Sequence, residues 1–187
     1  MTPIDQTPDP RRYLVEESLN DGTLVTLRAV RPDDSQKIRR AFENLGRETV
    51  YTRFFGYKSA VSDAELNRIT GVDFDRDVAL LVTIELDDEE VVIVGASYFA
   101  IDAESPARRA ELAFTVEEDY QARGVASLLM RHIIRIGRAK GLIRLEADVL
   151  ARNLPMLAVF RRSGLPITLR RESDVIHVTL SLRDAAA

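Results

Sequence analysis

Apolar residues recur along this chain with two periods, one of two residues and one near 3.6, and the switches between them mark its elements. Residues 24–29 alternate into a first strand that ends at Arg31-Pro32. Pro32 suits the first turn of a helix, where Asp33 and Asp34 favour the dipole, and Ile38, Ala41, Phe42 and Leu45 form a buried stripe up to Gly46. The run 51–56 (YTRFFG) is too apolar for a free loop and reads as a core plug through Phe54 and Phe55. Ser62-x-x-Glu65 is a capping box opening a short helix through Leu66 and Ile69. Runs 78–86 and 91–101 flank Asp87-Asp88-Glu89-Glu90, which predicts an antiparallel hairpin with a charged tip; Gly95 marks a bulge or a close backbone approach.

The strand at 107–116 sets Leu112, Phe114 and Val116 against Glu111, Ala113 and Thr115. An acidic corner and a glycine turn lead from it into a long helix, with Val125, Leu129, Ile133 and Ile136 on one stripe and Arg131, Arg135 and Arg138 on another. A strand at 143–149 follows, then a helix capped by Asn153 that runs through Leu157 and Phe160 to Gly164. A closing hairpin pairs 167–171 with 175–182. The three prolines of residues 1–12 mark a mobile lead-in, 13–183 a single α/β (α+β) domain, and 184–187 a tail. No internal repeat leaves room for a second domain.

Composition narrows the chemistry. With 187 residues, 45% of them hydrophobic, the chain has apolar material for a full core. It has no cysteine, which excludes disulfides, thiolate metal sites and a thiol nucleophile, and neither His132 nor His177 sits in a ligand cluster, so no metal is expected. The net charge of −4 disfavours nucleic acid as a partner and suits a basic surface. No membrane span or leader is visible, which makes a cytoplasmic location the expectation.

Gly124 permits a close backbone approach, and a helix beginning there directs unpaired N–H groups and the positive end of its dipole outward. From these residues alone the turn reads first as an ordinary strand-to-helix connection and second as a cradle for a diphosphate. Gln121-x-x-Gly124-x-Ala126 after an apolar strand resembles the acetyl-CoA pyrophosphate loop of the GNAT superfamily of N-acetyltransferases. Residues 28–34 (RAVRPDD), 51–56, 62–77, 111–116 (ELAFTV) and 153–164 extend the likeness to the acetyltransferase domain of bacterial protein lysine acetyltransferases, those that modify acyl-CoA synthetases.

The resemblance implies a GNAT fold: a mixed, mostly antiparallel sheet of six to seven strands, splayed at strands 4 and 5, with about four helices on its two faces. It implies acetyl-CoA as cosubstrate, its pantetheine arm pairing with the main chain of Phe114, Thr115 and Val116, its pyrophosphate surrounded by Gln121, Arg123, Gly124, Val125, Ala126 and Ser127, and Asn153 touching the arm. An N–H near Leu112 or Ala113 becomes the oxyanion donor. Glu111 becomes the general base; its alternative is a surface ion pair with Arg108, Arg109 or another surface cation. Lysine, with a pKa of about 10.4, is neutral only about once in a few thousand molecules at pH 7, so a base is useful. Five strand positions put Glu111 about 16 Å from the loop, the span of an extended pantetheine.

The implied partner is a lysine-bearing protein, acyl-CoA synthetases among them. The acidic run Asp73, Asp75, Asp77 either attracts that lysine or is a solvated loop, the second being favoured. Phe160 replaces a superfamily tyrosine that protonates the leaving thiolate. A water, Tyr98, or departure as the bare thiolate must stand in. Small-molecule amine acetylation and a non-catalytic acyl-CoA-binding module are the competing readings. The regulatory regions fused to such domains do not fit in 187 residues, so their control is not carried over.

Overall fold

The computed structural model describes residues 9–46, 60–102, 108–116 and 122–183. Its centre is an eight-stranded sheet, one strand more than the upper expectation, in the order β1-β2-β3-β4-β5-β6-β8-β7. The strands are β1 (Leu14–Ser18), β2 (Leu24–Ala29), β3 (Val78–Leu86), β4 (Glu89–Ala100), β5 (Arg109–Val116), β6 (Arg144–Leu150), β7 (Ile167–Glu172) and β8 (Val175–Ser181). All pairings are antiparallel except β5 with β6. The extra strand is β1, an edge whose side chains are never fully buried, so its sequence lacks the clean alternation that marks the others.

Four α-helices are described: α1 (Ser35–Glu43), α2 (Asp63–Thr70), α3 (Val125–Ala139) and α4 (Leu154–Arg161). The start at Pro32 is a 3₁₀ turn over Pro32–Asp34 that leads into α1. The Ser62/Glu65 box closes at the head of α2 as anticipated. In α3, Val125, Leu129, Ile133 and Ile136 are buried against the sheet, while Arg131, Arg135 and Arg138 are exposed. The aromatic run 51–56 lies outside the described residues.

Two details of the β3–β4 hairpin differ from expectation. Its tip is only Asp87-Asp88, both at positive φ (50° and 63°), and Glu90 is drawn back from it. The register shift falls between Val82 and Thr83, opposite Ile93, while Gly95 pairs regularly with Leu81.

Glu90 turns inward because Arg28 is there. Arg28 and Asp34, each 1% exposed, form a bidentate pair at 2.7 Å on both arms. The Nε of Arg28 donates to Glu90 at 2.6 Å, Lys37 meets the other Glu90 oxygen, and Thr83 donates its hydroxyl to Glu90 at 3.1 Å. The Arg28 hydrogen bonds, ahead of the opposing effect of burial, hold the Glu90 carboxyl down to about 2. Burial opposes the charge on Arg28, yet its two carboxylate partners raise its pKa. This network fixes α1 to the sheet.

A second polar contact fixes β1 to α3. The Tyr13 hydroxyl lies 2.5 Å from His132 Nδ1, and His132 Nε2 lies 3.3 Å from Glu17. Burial keeps His132 below the usual imidazole range. A neutral ring then accepts from Tyr13 and donates to Glu17.

Candidate functional site

The one parallel contact in the sheet is short. β5 and β6 pair at Arg109 with Arg144, Ala110 with Leu145 and Glu111 with Glu146, and no further. β5 continues against β4 as far as Val116, and β6 continues against β8 as far as Leu150, so the two strands part immediately beyond Glu111. What would be strands 4 and 5 of a sheet lacking β1 are therefore splayed, as expected.

Main-chain direction along β5 follows from one bond. Ile101 N–H donates to the Arg109 carbonyl at 3.0 Å, so residues 109, 111, 113 and 115 face β4, whereas Phe114 and Val116 turn their N–H and C=O toward the opening. Two expectations change. The Ala113 N–H belongs to the β4 ladder and is no oxyanion donor, which leaves Leu112. The main chain of Thr115 likewise faces β4, and its side chain enters the cleft that holds Glu111.

Beneath the opening, Phe160 of α4 is 1% exposed and meets the edge of Phe114, with ring centroids 6.2 Å apart at 68°. The ring that replaces a tyrosine thus acts as packing. Asn153 caps α4, its Oδ1 accepting from Met156 N–H at 3.2 Å. At the wide end, Gly124 has φ +87° and provides no side-chain cap to α3, whose first internal bond is Leu128 N–H to Gly124 C=O. The N–H groups of Val125, Ala126 and Ser127 have no intrahelical acceptor. Val125 is buried and can offer a ligand only its main chain.

The turn between β1 and β2 braces this loop from behind. Asn20 N–H donates to the Arg123 carbonyl, and a Cβ on Gly124 would lie 2.7 Å from the Asn20 amide nitrogen. Arg123 is paired with Asp21 at 3.2 Å and so points to this turn. Gln121 lies outside the described residues.

On the opposite face of the sheet, Glu111, Ala113 and Thr115 line a cleft of about 290 Å³. Gly95, Ser97 and Phe99 of β4 continue its floor, and Ile38, Phe42, Arg68 and Ile69 of α1 and α2 form its wall. The stripe predicted for α1 is therefore partly a cleft wall, and only Phe42 of it is fully buried. Glu111 is exposed. Arg109 pairs with Asp102 at 2.8 Å and Glu146 at 3.7 Å, and among the described residues no cation pairs with Glu111. The surface-pair alternative loses its partner.

Tyr98 is an unsuitable proton source. It pairs across the strands with Leu112 and so belongs to the face away from Glu111. It is 1% exposed, its hydroxyl has no hydrogen-bond partner among the described residues, and burial, helped by Asp77 and Asp73, raises its pKa.

The acidic run is the solvated loop of the favoured reading, with Asp73 and Asp75 exposed, and its carboxylates are tied down locally. Asp73 accepts from the N–H groups of Asp75, Arg76 and Asp77, Asp77 accepts from Ala100 N–H, and Asp75 pairs with Lys140 at 3.2 Å and Arg11 at 3.6 Å. What sequence reasoning missed is Arg68, whose guanidinium stacks on Phe99 beside Glu111. No local motif announces a contact between residues 31 positions apart.

A sequence model described as "Acetyltransferase (GNAT) family" matches residues 38–165. An acetyltransferase of Pseudomonas aeruginosa is 33% identical over 125 residues, 67% of this chain and 66% of its own length. The acetyltransferase Pat of Mycolicibacterium smegmatis is 30% identical over 155 residues, 83% of this chain but 45% of its own length. The chain therefore spans just under two thirds of the first relative and less than half of the second. The GNAT domain of S. lividans PAT superposes with a TM-score of 0.82 at 32% identity, covering 90% of this chain and 96% of that domain. The structure of yncA from Salmonella typhimurium with acetyl-CoA shares the fold, with a TM-score of 0.67 at 18% identity, covering 87% of this chain and 96% of that one.

Proposed function

Because the chain belongs to the GNAT family of acetyltransferases, we propose that it transfers the acetyl group of acetyl-CoA to the ε-amine of lysine on proteins, acyl-CoA synthetases among them. One observation carries the mechanism: the β5–β6 ladder ends at the rung that holds Glu111. A thioester lying in the opening, paired with the main chain of Phe114 and Val116, then ends beside that carboxylate. The diphosphate rests on the N–H groups of Val125, Ala126 and Ser127, where the helix dipole favours it.

The acceptor lysine approaches through the cleft on the Glu111 face. Glu111 takes a proton from the ammonium, directly or through water, and the freed amine attacks the thioester carbon. The oxygen of that carbon gathers charge near Leu112 N–H. The new C–N bond forms, the nitrogen gives up its second proton to water, the C–S bond breaks and the thiolate leaves. With Phe160 unable to donate and Tyr98 turned away, a water protonates the thiolate or it departs as the anion. The chain has no cysteine for a thiol acyl-enzyme, so both substrates are bound together.

The test is acetyl-lysine mapping by mass spectrometry on acyl-CoA synthetases incubated with acetyl-CoA and the protein, beside a panel of free amines. Site-specific lysine acetylation is the expected result. Turnover confined to free amines would reassign the acceptor, and coenzyme binding without any turnover would leave only a binding module.

Gly124→Ala tests the loop separately. An L residue at φ +87° costs about 1–2 kcal/mol, and the added methyl also meets Asn20. Calorimetry is expected to give acetyl-CoA affinity lowered about tenfold or more, with kcat at saturation less affected. Wild-type affinity would place the diphosphate elsewhere.

A further inference from the structure

Arg68 stands at the lip of the Glu111 cleft in a fixed posture. Its guanidinium carbon lies 4.0 Å over the centroid of the Phe99 ring. Phe99 is the cross-strand partner of Glu111, so their side chains rise from adjacent positions on one face, about 5 Å apart at Cβ. All three residues line the same cleft. A guanidinium held over a ring by cation–π attraction still has its N–H groups to give to an acceptor. Among the described residues no carboxylate or carbonyl takes them. Glu111 has no cation either, and the two charges do not pair with each other although one cleft holds both. The cleft therefore presents a carboxylate and a guanidinium side by side, neither of them paired among the described residues.

The complement of that arrangement is an amine with an anion close by. We propose that Arg68 is a specificity-determining residue that binds an acidic side chain flanking the lysine to be acetylated. This rests on the lysine reading above. A free amino acid carries the same two charges, so it forms a separate arm of the test.

The experiment measures kcat/KM for acetyl transfer to three lysine peptides, with acidic, neutral or basic flanking residues, and to free amino acids. Wild type, Arg68→Gln and Arg68→Glu are compared. Wild type is expected to prefer the acidic peptide over the neutral one about tenfold, carried by KM, as for one charge-assisted hydrogen bond. At a net charge of −4 the overall field of the protein favours basic peptides, so such a preference runs against it and belongs to a local cation. Arg68→Gln should cut the preference below threefold, and Arg68→Glu should invert it toward the basic peptide, an inversion that a purely structural role cannot produce. Peptides turned over with no acidic preference in wild type, or with the same preference in all three proteins, overturn the subsite alone. Turnover of free amino acids but of no peptide overturns the acceptor class, and the flanking contact with it.

Discussion

Glu111→Gln should bind acetyl-CoA with near-native affinity and lose about 10²- to 10⁴-fold in kcat at neutral pH, the usual contribution of a positioned base. Affinity survives because the coenzyme contacts proposed here are main-chain groups of β5 and of the first turn of α3. The substitution keeps the size of the side chain and removes only its capacity to take a proton. The deficit should shrink as pH rises. Each unit below the lysine pKa of about 10.4 costs a tenfold loss of neutral amine, so near pH 10 the acceptor arrives already deprotonated and the base has little left to contribute. Initial rates on one lysine acceptor peptide from pH 7 to 10, with calorimetry on acetyl-CoA, separate the two effects. Activity equal to wild type at pH 7 would remove Glu111 from the chemistry, and a parallel loss at every pH would make it a binding residue.

Asp34→Asn should be the most damaging change to stability, about 3–5 kcal/mol, because it leaves Arg28 charged and buried with one partner gone. Arg28→Met should cost a similar amount. The double variant should lose clearly less than the sum of the two, since the second substitution removes a charge already left uncompensated by the first. Chemical denaturation of the four proteins measures this, and additive losses would show that the pair does not act as a unit. The network also sets an acid limit. Glu90 has its folded pKa depressed to about 2, so its contribution is complete above the unfolded carboxyl range and is lost as pH falls from about 4.5 toward 2. Denaturation midpoints should drop over that window, and less so in Glu90→Gln.

How much of this was legible in the sequence depends on whether the signal is local. The β5–turn–α3 unit was readable because a period of two gives way to a period of 3.6 at a glycine, and the cap of α2 because both its members lie within four residues. The faces of β5 could be assigned, but the direction of its hydrogen bonds could not. That direction depends on which neighbour Arg109 pairs with, and it is what separates Phe114 and Val116 from Thr115. Arg28 read as a strand residue and Glu90 as part of a charged tip. Their contact spans 62 positions and leaves no trace in any window of the chain. The acidic run is the solvated loop that its composition favoured, but its partners Arg11, Ala100 and Lys140 lie too far along the chain to be read from it. β1 escaped because its half-buried face carries Val15 and Glu17 while the apolar Leu14 is exposed, so residue type does not follow the alternation in burial.

A sheet that divides in its middle has four margins instead of two. The outer pair, β1 and β7, are dressed with charge, Glu16 and Glu17 on one and Arg170, Arg171 and Glu172 on the other, which discourages a foreign chain from adding itself there. The inner pair, β5 and β6, is left open beyond Glu111 and Glu146. Their defence is shape: the two margins converge on three rungs, so a flat intruding strand cannot lie along both, whereas a slender chain of amides and methylenes can enter as far as the apex.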